Sequence, residues 1–410
     1  MPQPAYEFRL PGYIGGIVSP YESLALKNKI MLKELDLRTW TRGIYNEVGT
    51  IRISAATSAE EFRSICLKEA GQMAARGHGW EVYDIGSTAF RHPKALRTMA
   101  QMQQVGEKLA GQPDDFRPDV AVVFNEKSYS YRRHHMGHGS APFEGLRWMF
   151  MDLDTSGVPY HAWYFRHLRE NSELARQYKV LVFVVPYYMS AEDRAFIETL
   201  KGDNLTLVWH YAPGYISEEG VSQEWVSSLT GMNCQTDTAL ARQGAWTVPT
   251  SDPLGQGLRP LLGMAEIWRS FFTLHRAPLL RYDCQRFWID DPAAVALAAY
   301  NDGKTALAVK RFANWTSVYA ASLLGISGDL LNNIAVEADA AVLTRPGPAI
   351  AMNGNFLSVH GMVNRTAEFR LPWKATLRDA FTNEVVVKQD EYFTLPLDAH
   401  VTRWFLIDRQ

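Results

Sequence analysis

The sequence predicts an α/β protein in three parts: an α/β repeat over residues 1–112, a doubly wound α/β domain over 113–278, and a β-rich module with one helix over 279–410. Apolar runs alternate with helical patterns through the first two parts, which is the order expected of parallel sheets. Near residue 280 the pattern changes to short strands and hairpin turns. With 410 residues, 47% of them hydrophobic and 21% charged, the chain is long and apolar enough for several folded domains.

The first part has two helical stretches, at 20–29 and 58–76, which alternate with strand-like stretches at 30–38 and 80–85. This is the pattern of a repeated strand and helix. A complete (β/α)8 barrel needs about 200–250 residues, so this part is too short to form a whole barrel.

The middle part contains the clearest strand signal of the chain, an apolar run at 179–185 that predicts a strand covered on both faces. Further strands are predicted at 119–125, 158–165 and 205–209, and Ser190 is predicted to cap a helix. Doubly wound sheets bind ligands beyond the carboxyl ends of their strands. No glycine-rich phosphate-binding motif follows these strands, so the sequence gives no support for nucleotide binding.

The carboxyl-terminal part is predicted mainly from its turns. The motif Asn-Asp-Gly at 301–303 separates two strand-like runs, and Asn-Gly at 353–354 marks a second hairpin. One helical stretch, at about 328–338, interrupts the strands. A β-rich module that carries a single helix follows from this pattern.

Polar side chains on two strands of the first part are the best candidates for chemistry. Glu34, Asp36 and Arg38 alternate along one strand and therefore share one face. Trp80 and Asp84 share a face of the next strand, where an indole beside a carboxylate suits a sugar ring and its hydroxyls. Two other interpretations stay open: the first face is a solvated strand edge, and Trp80 is a core residue beside a helix-capping Asp84.

Three histidines, His134, His135 and His138, follow the first strand of the middle part. Their imidazoles can converge on a metal or an anion at the carboxyl edge of the sheet. No pattern of carboxylates completes such a site, and a polar loop that packs on the mouth of a barrel is the other interpretation. We therefore expect no bound metal.

Charge and composition exclude several classes of function. The chain has 42 basic and 44 acidic side chains, a net charge of -2, which disfavours nucleic acids as partners. The longest apolar run, at 180–189, is too short to span a bilayer, and the first residues lack the apolar core of a signal peptide. We expect a cytoplasmic protein without membrane contact. The three cysteines are odd in number and far apart, which predicts neither a disulfide framework nor a zinc site.

Several segments together resemble family 42 glycoside hydrolases, the β-galactosidases. Residues 19–23, 29–39 and 80–84 resemble the last part of the catalytic barrel of that family. Residues 118–235 are similar to its amidotransferase-like trimerisation domain, and residues 302–335 to its carboxyl-terminal part. The resemblance implies a partial (β/α) barrel, a doubly wound domain of the flavodoxin or amidotransferase type, and a β-rich carboxyl-terminal module.

The same resemblance implies retaining hydrolysis of a β-linked galactoside or related glycoside, without a cofactor. It places the nucleophile at Glu34 and makes Asp36, Arg38, Trp80 and Asp84 residues that bind the carbohydrate substrate. It also implies a homotrimer. The family carries its acid/base glutamate upstream of the nucleophile, and no residue of this chain matches it, so an upstream segment or a second chain has to supply it. The alternative is a non-catalytic carbohydrate-binding or assembly protein derived from such an enzyme.

Overall fold

The computed structural model describes residues 19–35, 37, 39–40, 56–82, 88–131, 149–202, 204–262, 283–323 and 325–409. The chain forms two compact units, one made of Met1–Arg117 and Val342–Gln410 and the other of Pro118–Ala341. We call them unit 1 and unit 2. Within the described ranges, no helix is both long enough and apolar enough to cross a membrane.

Helices and strands are numbered in chain order. The first segment contains α1 (Tyr21–Ala25), β1 (Leu32–Leu35), α2 (Ala59–Ala74), β2 (Gly79–Val82) and α3 (Pro93–Leu109). Unit 2 contains β3 (Val120–Phe124), α4 (149–154), β4 (Tyr160–Tyr164), α5 (Phe165–Glu170), α6 (Ser172–Ala175), β5 (Val180–Val184), α7 (Ala191–Leu200), β6 (Thr206–His210), β7 (Ile216–Ser217), β8 (Gly220–Val221), α8 (Gln223–Thr230), β9 (Cys234–Arg242), β10 (Ala245–Thr247), β11 (Asp283–Ile289), β12 (Val295–Tyr300), β13 (Thr305–Arg311), β14 (Thr316–Ala320) and α9 (Gly328–Glu337). The last segment contains β15 (Ala349–Met352), β16 (Phe356–His360), β17 (Arg365–Asp379), β18 (Val385–Leu397) and β19 (Thr402–Arg409).

Unit 2 is built on one large mixed sheet, in the order β10-β12-β13-β14-β6-β5-β3-β4, with β9 and β11 paired to it off this path. The neighbours β4, β3, β5 and β6 are parallel. All four lie where the sequence predicts strands, and β3, β5 and β6 are buried along their whole length. Ser190 caps α7 as predicted: its hydroxyl accepts a hydrogen bond from Asp193 N, and the Asp193 carboxylate accepts one from Ser190 N.

The limits of the two units differ from the predicted limits at residues 112 and 278. Strand β14 pairs in parallel with β6, with Val318 opposite Val208, so strands β11 to β14 belong to the sheet of unit 2. The predicted module 279–410 is therefore divided between the units. Its predicted details are present, because β12 and β13 flank the Asn-Asp-Gly turn, β15 and β16 flank Asn-Gly, and α9 interrupts the strands.

Unit 1 combines two layers. Its parallel strands β1 and β2 belong to a strand-helix repeat with α2 and α3, and its five antiparallel strands form a sheet in the order β15-β16-β19-β17-β18. Helix α2 joins the layers: Ser64 Oγ donates a hydrogen bond to His400 O at 2.6 Å, and Trp404 Nε1 donates one to Leu67 O at 3.0 Å. A Cβ added to Gly71 would lie 2.4 Å from Ser358 Oγ, so the helix approaches the sheet this closely only because residue 71 is glycine.

Candidate functional site

Strand β1 presents two different faces. On one face, Lys33 and Leu35 are buried, and Lys33 Nζ donates a hydrogen bond to Glu69 Oε2 of α2 at 2.6 Å. Because side chains alternate along a strand, Glu34 points to the opposite face, away from α2. Glu34 is half-buried and is the third of four residues in the strand. Its carboxylate therefore lies near the carboxyl end of a parallel strand.

The neighbouring strand places a second carboxylate beside Glu34. Strands β1 and β2 are parallel and in register, with Glu34 opposite Glu81 and Lys33 opposite Trp80. Opposed residues of a parallel pair point to the same face, so Glu81 shares the face of Glu34, and it is exposed. Sequence reasoning missed Glu81. Two signals could have found it. Glu81 directly follows Trp80 and so points to the other face of the strand, and successive strands of a strand-helix repeat lie side by side.

Trp80 lies on the other face of β2, against helix α3. A Cβ added to Gly106 of α3 would lie 2.9 Å from Trp80 Cη2, and the Trp80 ring meets Trp404 with centroids 6.2 Å apart at 65°. The structure therefore does not bring Trp80 and Glu34 to one face. The reason is the register, which puts Trp80 level with the helix-facing Lys33.

The other predicted site residues lie outside the described residues. They are Asp36, Arg38, Asp84, His134, His135 and His138. Among the residues that the structure does describe, no group of three or more His, Cys, Asp or Glu side chains is placed to hold a metal ion.

A buried ion triad supports β1 from the helix side. Glu69 accepts the hydrogen bond from Lys33, and its second oxygen lies 3.3 Å from Lys68 Nζ. Burial lowers the pKa of Lys68 to about 8, against the opposing charge of Glu69. Burial alone would raise the pKa of Glu69, but the two ammonium groups outweigh it and hold that pKa below its ordinary value. The triad links β1 to α2 and so fixes the strand that carries Glu34.

The carboxyl edge of the unit 2 sheet is a second place where ligands commonly bind in such folds. Val185 and Tyr211, which directly follow β5 and β6, have φ angles of +54° and +62°. These are strained conformations for large side chains. The nearby polar groups bond to one another: Asn125 Nδ2 donates to Tyr188 O at 2.6 Å, and Tyr188 N donates to Ser128 Oγ at 3.0 Å. The strained turn after β5 carries a valine, which offers no nucleophilic atom.

Comparison with solved structures identifies the fold. A β-galactosidase from Bacillus circulans sp. alkalophilus matches 99% of this chain and 59% of its own, with 16% identity and a TM-score of 0.64. Gan42B, a GH42 β-galactosidase from G. stearothermophilus, matches 88% of this chain and 52% of its own, with 15% identity and a TM-score of 0.57. The α-L-fucosidase isoenzyme 2 from Paenibacillus thiaminolyticus matches 95% and 62%, with 10% identity and a TM-score of 0.56.

No family model matches the sequence, and no curated protein matches it. The chain spans between half and two thirds of the length of these solved enzymes. At this level of identity the likeness concerns the fold alone. The fold of this chain is mixed α/β and resembles that of the GH42 β-galactosidases over about half of their length.

Proposed function

We propose that this chain is part of a retaining glycosidase of the β-galactosidase type, with Glu34 as its nucleophile. One observation carries the proposal: Glu34 lies near the carboxyl end of a parallel strand, on the face turned away from the covering helix. Barrel enzymes take their catalytic groups from this end of their strands. The resemblance to solved β-galactosidases supports the same assignment.

The finer description of the fold belongs to this proposal. The run β1-α2-β2-α3 forms the last units of a (β/α) barrel, and the parallel strands of unit 2 belong to an amidotransferase-like trimerisation domain in a homotrimer. The substrate is a β-linked galactoside or a related glycoside, and Asp36, Arg38 and Asp84 contact it. Trp80 packs against α3, so it supports β2 rather than stacking on the sugar beside Glu34.

In the proposed reaction the Glu34 carboxylate attacks the anomeric carbon of the sugar. A glycosyl ester forms while the bond to the leaving oxygen breaks, and an acid protonates that oxygen. Water then attacks the same carbon, the ester breaks, and the acid, now a base, takes the proton from water. The acid/base is supplied from outside these 410 residues. Glu81 receives no role in this scheme, although it lies beside Glu34.

The leaving group decides how this proposal is tested. Dinitrophenolate leaves without protonation, so a dinitrophenyl β-galactoside reports on the nucleophile even where the acid/base is absent. We expect the purified chain to release dinitrophenolate, Glu34→Gln to lose that release at least about 100-fold, and Glu81→Gln to keep it. Release by Glu34→Gln at the rate of the unaltered chain would overturn the assignment. A folded chain that binds galactosides but releases nothing would support the non-catalytic carbohydrate-binding alternative.

A further inference from the structure

His78 carries a buried imidazole at the amino end of β2, and both of its ring nitrogens bond to the backbone of other elements. The residue is 7% exposed. Met31 N, which directly precedes β1, donates a hydrogen bond to His78 Nδ1 at 3.3 Å. His78 Nε2 lies 3.2 Å from Tyr21 O of α1. Because Nδ1 accepts a hydrogen bond, the ring is the neutral tautomer that carries its proton on Nε2 and donates it to Tyr21 O.

The backbone around His78 joins further elements at the same point. His78 N donates to Met73 O in the last turn of α2 at 3.0 Å, and Gly79 N donates to Met31 O at 3.0 Å. The second of these bonds directly precedes the paired positions of the two strands, which begin with Leu32 opposite Gly79. His78 therefore lies where α1, α2, β1 and β2 meet, at the point where the strand pairing starts.

The register of β1 decides which face Glu34 occupies. Both strands are only four residues long. A slip of β1 by one residue would turn Glu34 towards α2 and Lys33 towards the opposite face, because side chains alternate along a strand. The bond from Lys33 to Glu69 resists such a slip from the helix side. The bond from Met31 to His78 resists it from the amino end, about 10 Å along the strand from Glu34.

The surroundings of His78 favour its neutral form. Burial is the largest cause that lowers the pKa of His78, and the guanidinium of Arg76, in the turn before β2, adds to it. The bond to Tyr21 O and the carboxylate of Glu22, both in α1, oppose this effect without reversing it. Protonation would place a hydrogen on Nδ1, where the Met31 N–H group already points. Two donors would then face each other, and the bond that fixes the start of β1 would be lost.

We propose that His78 is a positioning residue for Glu34. Its neutral imidazole holds the start of β1 in the register that turns Glu34 away from α2, and protonation of the ring releases this end of the strand. The inference rests on the proposed function and goes beyond it, because no step of the proposed reaction involves His78. Displacing a reacting group by about 1 Å can lower a rate about 100-fold. The release of dinitrophenolate should therefore depend on the protonation of a side chain that never touches the sugar.

The first test follows the bond itself in the unaltered chain. Folding lowers the pKa of His78 below its ordinary value of 6.5, so the stabilising effect of its neutral form is complete above pH 6.5 and is lost as the pH falls below that value. Amide hydrogen exchange, resolved to single residues by mass spectrometry, measures the protection of Met31 N–H relative to its intrinsic exchange rate. We expect this protection to fall at least about 10-fold between pH 7 and pH 4.5, while that of Val122 N–H in β3 stays high.

The second test compares the pH profiles of three variants. His78→Asn offers Oδ1 at the position of Nδ1 but does not titrate, His78→Ala removes the acceptor, and His400→Asn is the control because His400 is exposed in the same unit. At pH 7 we expect His78→Asn to keep most of the kcat for dinitrophenolate release and His78→Ala to lose about 100-fold of it, with KM changed little in both. As the pH falls, the unaltered chain and His400→Asn should lose kcat at a higher pH than His78→Asn, which has no imidazole to protonate at this position.

Two outcomes would overturn the inference: protection of Met31 that is independent of pH, and coinciding pH profiles of the unaltered chain and His78→Asn. The second would leave His78 with a structural role alone. A chain that binds galactosides without releasing dinitrophenolate contradicts the proposed glycosidase, and the same profiles are then measured as affinity for a galactoside. In a chain that does neither, the proposed function fails, whereas the protection of Met31 still decides whether His78 holds β1. Failure of the inference and failure of the proposed function are therefore distinguishable.

Discussion

Asp152 of α4 is a buried acid without a full set of partners. It is 3% exposed, and its Oδ2 atom has no hydrogen-bond partner in the described residues. Two charged groups act on it, Asp329 of α9 and Arg259, and these two pair with each other at 3.1 Å. Burial raises the pKa of Asp152 to about 7, Arg259 opposes this rise, and Asp329 adds to it. The fold therefore favours the protonated form of this carboxyl group.

The raised pKa sets the direction and the size of a pH effect on stability. The ordinary pKa of Asp152 is 3.8, and its rise to about 7 corresponds to about 4 kcal/mol of preference for the protonated form in the folded state. The folded state binds this proton more tightly than the unfolded state, so stability falls as the pH rises from about 4 to about 7. Asp152→Asn removes the ionisable group. We expect the substitution to stabilise unit 2 by about 2 kcal/mol at pH 5 and about 4 kcal/mol at pH 8.

The assay is urea unfolding of the full chain at pH 5 and pH 8, followed by hydrogen exchange of peptides from β3 and β5, which lie in unit 2. The matched control is Asp290→Asn, because Asp290 is exposed. It is expected to change stability little at either pH. A gain for Asp152→Asn that is equal at the two pH values, or a loss at pH 8, would refute the assignment of a raised pKa to this buried carboxyl.

Three further substitutions test contacts inside the units, two in unit 1 and one in unit 2. Glu69→Gln removes the negative charge that two buried ammonium groups face and should cost about 3–5 kcal/mol in urea unfolding. Glu60→Gln, at an exposed ion pair, should leave the midpoint unchanged. Gly71→Ala forces α2 away from Trp404 and should cost about 1–3 kcal/mol, measured by the same method; an unchanged midpoint would contradict the close approach. Ser190→Ala removes the cap of α7 and should cost about 1 kcal/mol, seen as faster hydrogen exchange in the first turn.

The features that the sequence predicted well are those specified by local patterns. The apolar run of β5, the cap at Ser190 and the Asn-Asp-Gly turn are examples. Each is specified by residues only a few positions apart, so propensity and turn chemistry are sufficient to place it. Alternation also predicted correctly that Leu35 lies on the opposite face of β1 from Glu34. The mixed α/β fold follows from such patterns.

The features that the sequence did not predict depend on contacts between distant segments. The pairing of β14 with β6 joins residues about a hundred positions apart, and it brings strands from both sides of residue 278 into one sheet. The face occupied by Trp80 depends on its register with Lys33, which no local pattern of β2 specifies. The buried bond between Lys33 and Glu69 spans 36 positions, and a lysine in a strand otherwise suggests an exposed side chain. Register and long-range ion pairs thus set the site, and a single sequence does not reveal them.

The most direct test of the central claim is to trap the covalent intermediate on Glu34. A dinitrophenyl galactoside with fluorine at C2 of the sugar transfers its fluorogalactosyl group to the nucleophile. The resulting glycosyl ester is hydrolysed slowly, because fluorine destabilises the positively charged transition state. We expect mass spectrometry of the digested chain to find one fluorogalactosyl group on the peptide containing Glu34, and none on that peptide in Glu34→Gln. A fluorogalactosyl group on another carboxylate, or an unlabelled chain that still releases dinitrophenolate from the parent galactoside, would contradict the assignment of Glu34 as the nucleophile.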